Sequence, residues 1–206
     1  MVRVLSLTLL WLMQAGMVLI LVNADWLDRE ARSERITIAD HLGIGRYTEL
    51  EARARVTYDK WFVATRVRDE SYTRLLPDPS RPTDGMEDLA PWFFKWLKER
   101  LDVFWLLVFQ AFCRVQLLRE WATWILVVAI AAICDGFVQR RIKAANHGLA
   151  SADKYAVARN AVTLVMFAPF LYLSMPISVT PLAVPVWGAS LAIALMLLTA
   201  HAQHRV

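Results

Sequence analysis

The run WATWILVVAIAAIC at residues 121–134 contains no charged side chain, and it continues through Asp135 and Gly136 to Val138. A helix that crosses about 30 Å of hydrocarbon needs about 20 apolar residues, because lipid offers no partner for backbone polar groups. Residues 161–200 are also uncharged, although prolines divide them. Both regions predict membrane-spanning helices rather than the core of a soluble domain.

Four spans are predicted, at residues 4–22, 121–138, 161–179 and 184–200. Pro169 lies inside the third and is expected to kink it. The first run has a cleaved signal peptide as its alternative, because Val22-Asn23-Ala24 resembles a small-residue cleavage site. A retained anchor is favoured, since the apolar run exceeds the roughly 7 to 15 residues of a signal peptide's hydrophobic part.

The charged residues are segregated from these runs. The 206 residues are 57% hydrophobic and 20% charged, and residues 21–100 alone hold 14 Lys or Arg and 15 Asp or Glu. The absence of Gly and Pro from residues 47–76, with apolar side chains at helical spacing, predicts one amphipathic helix. Residues 77–85 read as a turn-rich connector, and Pro91 suits the first position of another helix.

Residues 103–113 are apolar except for Gln110, but at about 1.5 Å per residue they are too short to span. They predict an interfacial or extracytoplasmic helix that leads into the second span without a break, because no Gly or Pro lies between Pro91 and Gly136. The segment 41–46, with Gly43 and Gly45, predicts a turn and lacks the third glycine of a dinucleotide site.

The predicted fold is an all-α integral membrane protein of about four transmembrane helices, with a helical extracytoplasmic insert between the first and second. Residues 1–24 form the anchor, 25–120 the extracytoplasmic segment with the interfacial helix, and 121–206 a three-helix membrane region. A loop at 139–160 is expected to be cytoplasmic, which places both termini in the cytoplasm of a bacterial inner membrane, because basic residues favour that side. Its basic residues are Arg140, Arg141, Lys143, Lys154 and Arg159.

These five basic residues are the candidate contact site for a partner or for membrane lipids. Their simpler role is to set topology and bind anionic headgroups. Asp135 is the one acid within an apolar span, and such a group is costly enough to be a functional candidate. Its position near Arg140 and Arg141 favours an interfacial carboxylate that pairs with arginine or caps the loop, and a proton or ion relay is the alternative.

No catalytic residue, metal site or cofactor is predicted. The sequence has no G-x-S-x-G, H-E-x-x-H or phosphate-binding motif. His201 and His204 are spaced i, i+3 without a neighbouring carboxylate or cysteine. Cys113 and Cys134 would lie about 30 Å apart on one helix, which argues against a disulfide within the chain. The nearly neutral segment 21–100 argues against direct sequence-specific binding of nucleic acid.

The stretch DGFVQRRIK at residues 135–143, followed by residues 155–159, resembles a family of bacterial membrane proteins. These are the integrating conjugative element membrane proteins grouped as domain of unknown function 4400. Residues 144–153 lack the Gly-Arg-Glu-Ser-like stretch associated with that family. The resemblance implies a chain encoded with type IV secretion-like machinery for DNA transfer, near the coupling ATPase.

The predicted function is a non-enzymatic structural or adaptor subunit of a conjugative DNA-transfer apparatus. Its expected partners are lipids, other membrane subunits, a coupling ATPase, or a second copy of the chain in a homo-oligomer. A small transporter or channel subunit is the alternative, but it needs polar residues at mid-bilayer, and few are found besides Gln14, Ser190 and Asp135. A membrane-embedded enzyme would need a base near Ser174 or Ser178, and none is close in sequence.

Overall fold

The computed structural model describes residues 2–77, 91–146 and 152–202. Regular structure in these ranges is helical throughout and includes no strand, so the all-α prediction is confirmed for them. The connector predicted after Pro77 lies almost entirely outside the described residues. The helices are α1 (Val2–Leu21), α2 (Ala24–Leu42), α3 (Ile44–Tyr58), a π-helical turn (Asp59–Val63), α4 (Val67–Leu75), α5 (Pro91–Ala145), α6 (Ala152–Ser174) and α7 (Ala183–Ala200).

The chain divides into two compact units, and each is named here by its composition. The apolar unit contains residues 1–8, 118–172 and 181–206, and the charged unit contains residues 9–117 and 173–180. Helix α5 contributes its first part to the charged unit and its second part to the apolar unit. The predicted helix without a break from Pro91 through Gly136 is confirmed, and it begins at Pro91 as expected.

Three described helices are long and apolar enough to cross a membrane. These are α5, the Asp153–Ser174 part of α6, and α7. A fourth crossing is possible by length and composition if Leu5–Leu21 and Ala24–Leu42, which meet at a 115° bend, are taken together. The predicted number of about four apolar helices agrees with these three or four candidates.

The third predicted span was placed too far toward the C-terminus. Helix α6 ends at Ser174 rather than near Val179. The reason is local, because Pro176 disfavours helical geometry at Met175 before it. Pro169 lies inside α6 as expected, and α7 covers the fourth predicted span almost residue for residue.

Arg100 caps the C-terminal end of α1 in the charged unit. Its Nη1 lies 3.0, 2.9 and 2.7 Å from the carbonyl oxygens of Leu19, Ile20 and Val22. The last carbonyls of a helix have no partner within it, and they carry the negative end of the helix dipole. The Arg100 guanidinium donates hydrogen bonds to these carbonyls and places a positive charge at the negative end of the helix dipole. It thereby joins α1 to α5.

The single helix predicted over residues 47–76 is wrong in its middle. The helical path changes to a π-helical turn after Tyr58, and Arg66 adopts a left-handed conformation with φ 58° before α4 begins. Aromatic packing explains the break. The Tyr58 ring lies 5.5 Å from that of Phe109, and the Phe62 ring lies 5.3 Å from that of Trp105. Such edge-to-face pairs offset a left-handed residue, which costs on the order of 1 kcal/mol.

In the apolar unit, α7 supplies a hydrogen-bond donor next to the proline of α6. Pro169 has no backbone N–H, so the carbonyl of Val165 loses its partner within the helix. The indole Nε1 of Trp187 donates to that carbonyl at 2.7 Å. An unpaired carbonyl is costly in apolar surroundings, and this contact therefore binds α7 to α6 at the weakest point of α6.

Trp187→Phe keeps an aromatic ring but removes the N–H that reaches Val165. We expect a loss of about 1 kcal/mol of stability, measured by unfolding in detergent. In a Pro169→Ala background the carbonyl regains a helical partner, so the same change should cost less. Trp124→Phe is the matched control, since Trp124 is exposed on α5. An equal cost in both backgrounds would contradict this account.

Helices α5 and α7 approach closely at two glycines. A Cβ atom at Gly136 would lie 1.8 Å from Oγ1 of Thr199 and 2.6 Å from the carbonyl oxygen of Met196. A Cβ at Gly188 would lie 2.7 Å from Cγ1 of Ile125. Close approach of apolar helices without Cβ atoms is a recurrent way to gain packing in membranes. The missing Cβ at Gly188 permits such an approach.

Gly136→Ala should destabilise the apolar unit by about 1 to 3 kcal/mol, because the new methyl group must displace backbone as well as a side chain. Gly16→Ala on α1 is the matched control, since nothing lies within 4 Å of its added Cβ. That change should be neutral or stabilising by up to about 1 kcal/mol, because alanine favours helix. Thermal unfolding of the two variants in the same detergent compares them directly, and equal losses would exclude the close contact as the cause.

Candidate functional site

A buried ion pair lies at the centre of the charged unit. Arg114 on α5 is 1% exposed, and Glu34 on α2 is 3% exposed. Nε of Arg114 donates to Oε1 of Glu34 at 2.8 Å, and Nη2 donates to Oε2 at 2.8 Å. Gln110, one turn before Arg114, also donates from Nε2 to Oε2 of Glu34. The geometry is the two-pronged match of guanidinium and carboxylate, which is the strongest form of this pair.

Local sequence explains why these groups meet. The buried residues of α2 are Leu27, Ala31, Glu34 and Ile38, which repeat at helical spacing. Glu34 therefore occupies a position in the apolar stripe of α2. Gln110 and Arg114 are four residues apart and share one face of α5. Each helix thus carries its polar groups on the side that it buries.

The same arginine holds the connection between α6 and α7. Its Nη1 donates to the carbonyl of Met175 at 2.6 Å, and its Nη2 donates to that of Ile177 at 2.8 Å. The backbone N–H of Ser178 donates to Oε2 of Glu30 on α2 at 3.1 Å. The connection has no helical hydrogen bonds of its own at these positions, so the side chains supply partners that the backbone requires.

Arg114→Met should destabilise the charged unit by about 3 to 5 kcal/mol, because it leaves the Glu34 carboxylate buried without its main partner. Replacing both groups by Glu34→Leu and Arg114→Met should cost less than the sum of the single changes. Arg74→Met is the control, since its pair with Glu70 at 2.9 Å is exposed and should cost under about 1 kcal/mol. Equilibrium unfolding measures all four variants, and additive losses would contradict a coupled pair.

The predicted basic contact residues lie on two helix ends rather than in an extended loop. Residues 139–145 belong to α5 and residues 152–160 to α6. The two ends are at most about 25 Å apart, since seven residue steps of about 3.6 Å join Ala145 to Ala152. Three of the basic side chains are exposed and two are half-buried. The exposed ones are Arg141, Lys154 and Arg159, and the half-buried ones are Arg140 and Lys143.

Lys143 differs from the other basic residues because it contacts α7. Its Nζ lies 3.2 Å from Nε2 of the buried His201, whose Nδ1 lies 3.1 Å from the carbonyl of Leu197. With the proton on Nδ1, Nε2 is free to accept from the lysine. Lys143 therefore stabilises the end of α7 and is less suited to contact a partner. His204, considered with His201 as a metal pair, lies outside the described residues.

The contact made by Asp135 differs from the expected one. Its Oδ2 accepts from Nε2 of Gln139 at 2.8 Å, one turn further along α5, and not from Arg140 or Arg141. The same amide lies 3.6 Å from Sδ of Met196 on α7. Asp135 is exposed and sits beside Gly136, where α5 and α7 are in contact. The Asp135 carboxylate thus holds the Gln139 side chain between α5 and α7. A proton or ion relay would need a further polar group beside it.

A match to a protein-family model connects this chain with a biological process. The model of the DtrJ-like family, described as IncC plasmid conjugative DNA transfer protein DtrJ-like, matches residues 14–204. The chain belongs to this family. It is accordingly a conjugative DNA transfer protein. The conjugation-related context that the sequence suggested is confirmed, whereas the name domain of unknown function 4400 is not. Comparisons with curated proteins and with solved structures give no match.

For this DtrJ-like chain, the sequence predicted the basic residues and Asp135 but missed the buried ion pair. Gln110 is the one polar residue in the run 103–113, and Arg114 directly follows that run. The missed signal was their four-residue spacing on an otherwise apolar helix, together with an acid at a buried position of α2. A polar pair on a buried face predicts an internal partner, because an unpaired buried charge is very costly.

The two cysteines of the DtrJ-like chain are free thiols on α5, in agreement with the predicted absence of a bond between them. Cys113 faces the interior of the charged unit. Burial, with Glu51 as a further cause, raises the pKa of its thiol to about 12. A thiol with so high a pKa stays protonated near neutral pH and is a poor nucleophile.

Proposed function

We propose that the chain is a non-enzymatic inner-membrane adaptor subunit of a conjugative DNA-transfer apparatus related to type IV secretion. Helices α1, α5, α6 and α7 anchor it in the bilayer, with both termini in the cytoplasm. The charged segment from α2 to the first part of α5 lies on the extracytoplasmic side. The basic ends of α5 and α6 lie at the cytoplasmic surface, where they contact a coupling ATPase or another membrane subunit together with anionic lipid.

The observation that carries this proposal is the set of exposed basic side chains at the ends of two apolar helices. Arg141, Lys154 and Arg159 are exposed, and Asp153 is the one acid among the described residues of these two ends. Basic residues beside a span favour the cytoplasmic side, and each contributes about 1 kcal/mol of attraction to an anionic surface. A protein partner with an acidic face would use the same attraction.

The buried ion pair supports a common extracytoplasmic side for the α6–α7 connection and the segment that contains Arg114. Arg114 binds the carbonyls of Met175 and Ile177, so the α6–α7 connection belongs to the charged unit. The positions of the apolar runs and the basic helix ends predict the extracytoplasmic side for both segments. Their direct contact favours one common side for the two.

Arg140→Gln combined with Arg141→Gln should weaken recruitment of the partner several-fold, since it removes two charges and keeps the contact between Lys143 and His201. The measurement is crosslinking of the tagged protein in its native membrane, followed by mass identification of co-purified proteins, with transfer frequency as a second readout. The control is Arg29→Gln with Arg46→Gln, which removes equal charge from exposed positions of the charged unit.

Recovery of a coupling ATPase or channel subunit with the unchanged protein, reduced in the first variant and retained in the control, supports the adaptor. Recovery of only this chain and lipid overturns it and favours a self-contained oligomer. A flux assay in vesicles then tests the alternative of a small transporter or channel subunit.

A further inference from the structure

A small cavity lies between α2, α3 and α5 inside the charged unit. It leaves about 20 Å³ for the centre of a water molecule. A buried site needs about 10 to 15 Å³ of such space to hold one water, together with about two to four polar partners. The cavity is therefore large enough for one water molecule and too small for a nucleotide, a peptide or a sugar.

Gln110 supplies one polar atom of the wall. Its side chain is 6% exposed, and its Nε2 donates to Oε2 of Glu34. That contact fixes the orientation of the amide, because an ionised carboxylate can only accept hydrogen bonds. The other end of the amide, Oε1, is buried and accepts no hydrogen bond from any residue that the structure describes. A buried acceptor in this state is costly, so the site needs a donor.

Tyr47 on α3 supplies a second polar atom of the same wall. Its hydroxyl oxygen is buried and makes no hydrogen bond within the described ranges. Burial, with the Glu51 carboxylate as a further cause, raises the pKa of this phenol. The hydroxyl therefore stays protonated near neutral pH and can donate. Two buried polar atoms from different helices thus line one small cavity.

The charges around the cavity favour a neutral ligand. Glu34 is already paired with Arg114, and Arg35, the third charged residue of the wall, lies 3.9 Å from Glu51. No lining carboxylate in the described part of the chain is therefore left to hold a metal cation. A halide ion carries no proton and could not donate to Oε1 of Gln110. Water is neutral, donates and accepts, and matches the volume.

We propose that this cavity binds one water molecule, which donates to Oε1 of Gln110 and accepts from the hydroxyl of Tyr47. The water supplies partners for two buried atoms that have none among the described residues. Because Gln110 also donates to Glu34, the water joins α3 to the network of the buried ion pair. Buried hydrogen bonds that form a chain polarise one another, so the extended network holds α3 against α2 and α5.

This inference goes beyond the proposed function. It concerns the interior of the charged unit and makes no use of the basic helix ends. Loss of partner recruitment at Arg140 and Arg141 would leave the water site intact, and loss of the water would leave those two side chains unchanged. The two proposals can therefore fail separately.

The direct test is a crystal structure of the full chain, grown in a lipidic mesophase, at a resolution that shows ordered water. One water should lie about 2.5 to 3.0 Å from both Oε1 of Gln110 and the hydroxyl oxygen of Tyr47. Crystals of Tyr47→Phe should show that water weakened or lost, with the Glu34–Arg114 pair in place. A dry cavity, an ion in place of the water, or a direct bond between Tyr47 and Glu51 overturns the proposal.

Unfolding temperatures of paired variants test the same link in solution. Tyr47→Phe should lower the unfolding temperature by about 2 to 4 °C, since it removes a hydrogen bond and keeps the ring. The same change should have less effect in a Gln110→Met background, because the water has already lost its acceptor. In a Glu51→Met background it should keep its full effect.

Tyr72→Phe is the matched control, because the hydroxyl of Tyr72 donates directly to Asp102 at 2.7 Å. Its effect should be the same with and without Gln110→Met. Equal effects of Tyr47→Phe in the presence and absence of Gln110 overturn the bridging water. An effect of Tyr47→Phe that disappears with Glu51→Met assigns the hydroxyl to that carboxylate and likewise overturns the proposal.

Discussion

The charged unit depends on the burial of one guanidinium. Moving a charge out of water costs several kcal/mol, and the cost is recovered only if nearly every donor of the group finds a partner. Arg114 meets this condition with the Glu34 carboxylate and two backbone carbonyls. The requirement fixes several elements together, because α2, α5 and the α6–α7 connection must all supply their groups at once. A misplaced helix would leave a buried charge unpaired.

In the apolar unit, neutral polar groups also need hydrogen-bond partners where they are buried. Pro169 frees one carbonyl, and Trp187 supplies the missing donor. Gly136 lets a carbonyl and a hydroxyl of α7 approach where any other residue would keep them away. Between apolar helices in a membrane, burial of apolar surface gives little gain, so specific hydrogen bonds and close contact decide how such helices pack. In both units, polar groups on neighbouring elements complete each other's hydrogen bonds.

Much of the helical architecture followed from the sequence, because uncharged runs and prolines act locally. Neighbouring residues determine where α5 begins, at Pro91, and why it continues without a break. They also determine the extent of α7. The break between α3 and α4 did not follow, since it arises from rings on α5 that are distant in sequence. Helix α6 ends before the predicted position because Pro176 disfavours helical geometry at Met175.

The candidate functional residues also fall into two groups, those that local sequence predicts and those that only tertiary packing brings together. Charge counts led to the basic helix ends, because a charge count needs no tertiary structure. The Glu34–Arg114 pair joins residues that are 80 positions apart in the sequence. Spacing on one helix can show that a polar group is buried, but it cannot show which group on another helix receives it. That information lies in the packing.

Gly136 and Lys143 both lie against the C-terminal end of α7 from one side of α5, and this has a consequence for how the chain can vary. Each residue turns a helix by about 100°, so the seven residues from Gly136 to Lys143 make nearly two full turns and return to the same face. One residue added between them would rotate one contact away from α7 while the other stayed in place. Seven added residues, again close to two full turns, would nearly restore the shared face. Variation in length between these two positions is therefore restricted to near-integral helical turns, whatever the residues themselves are.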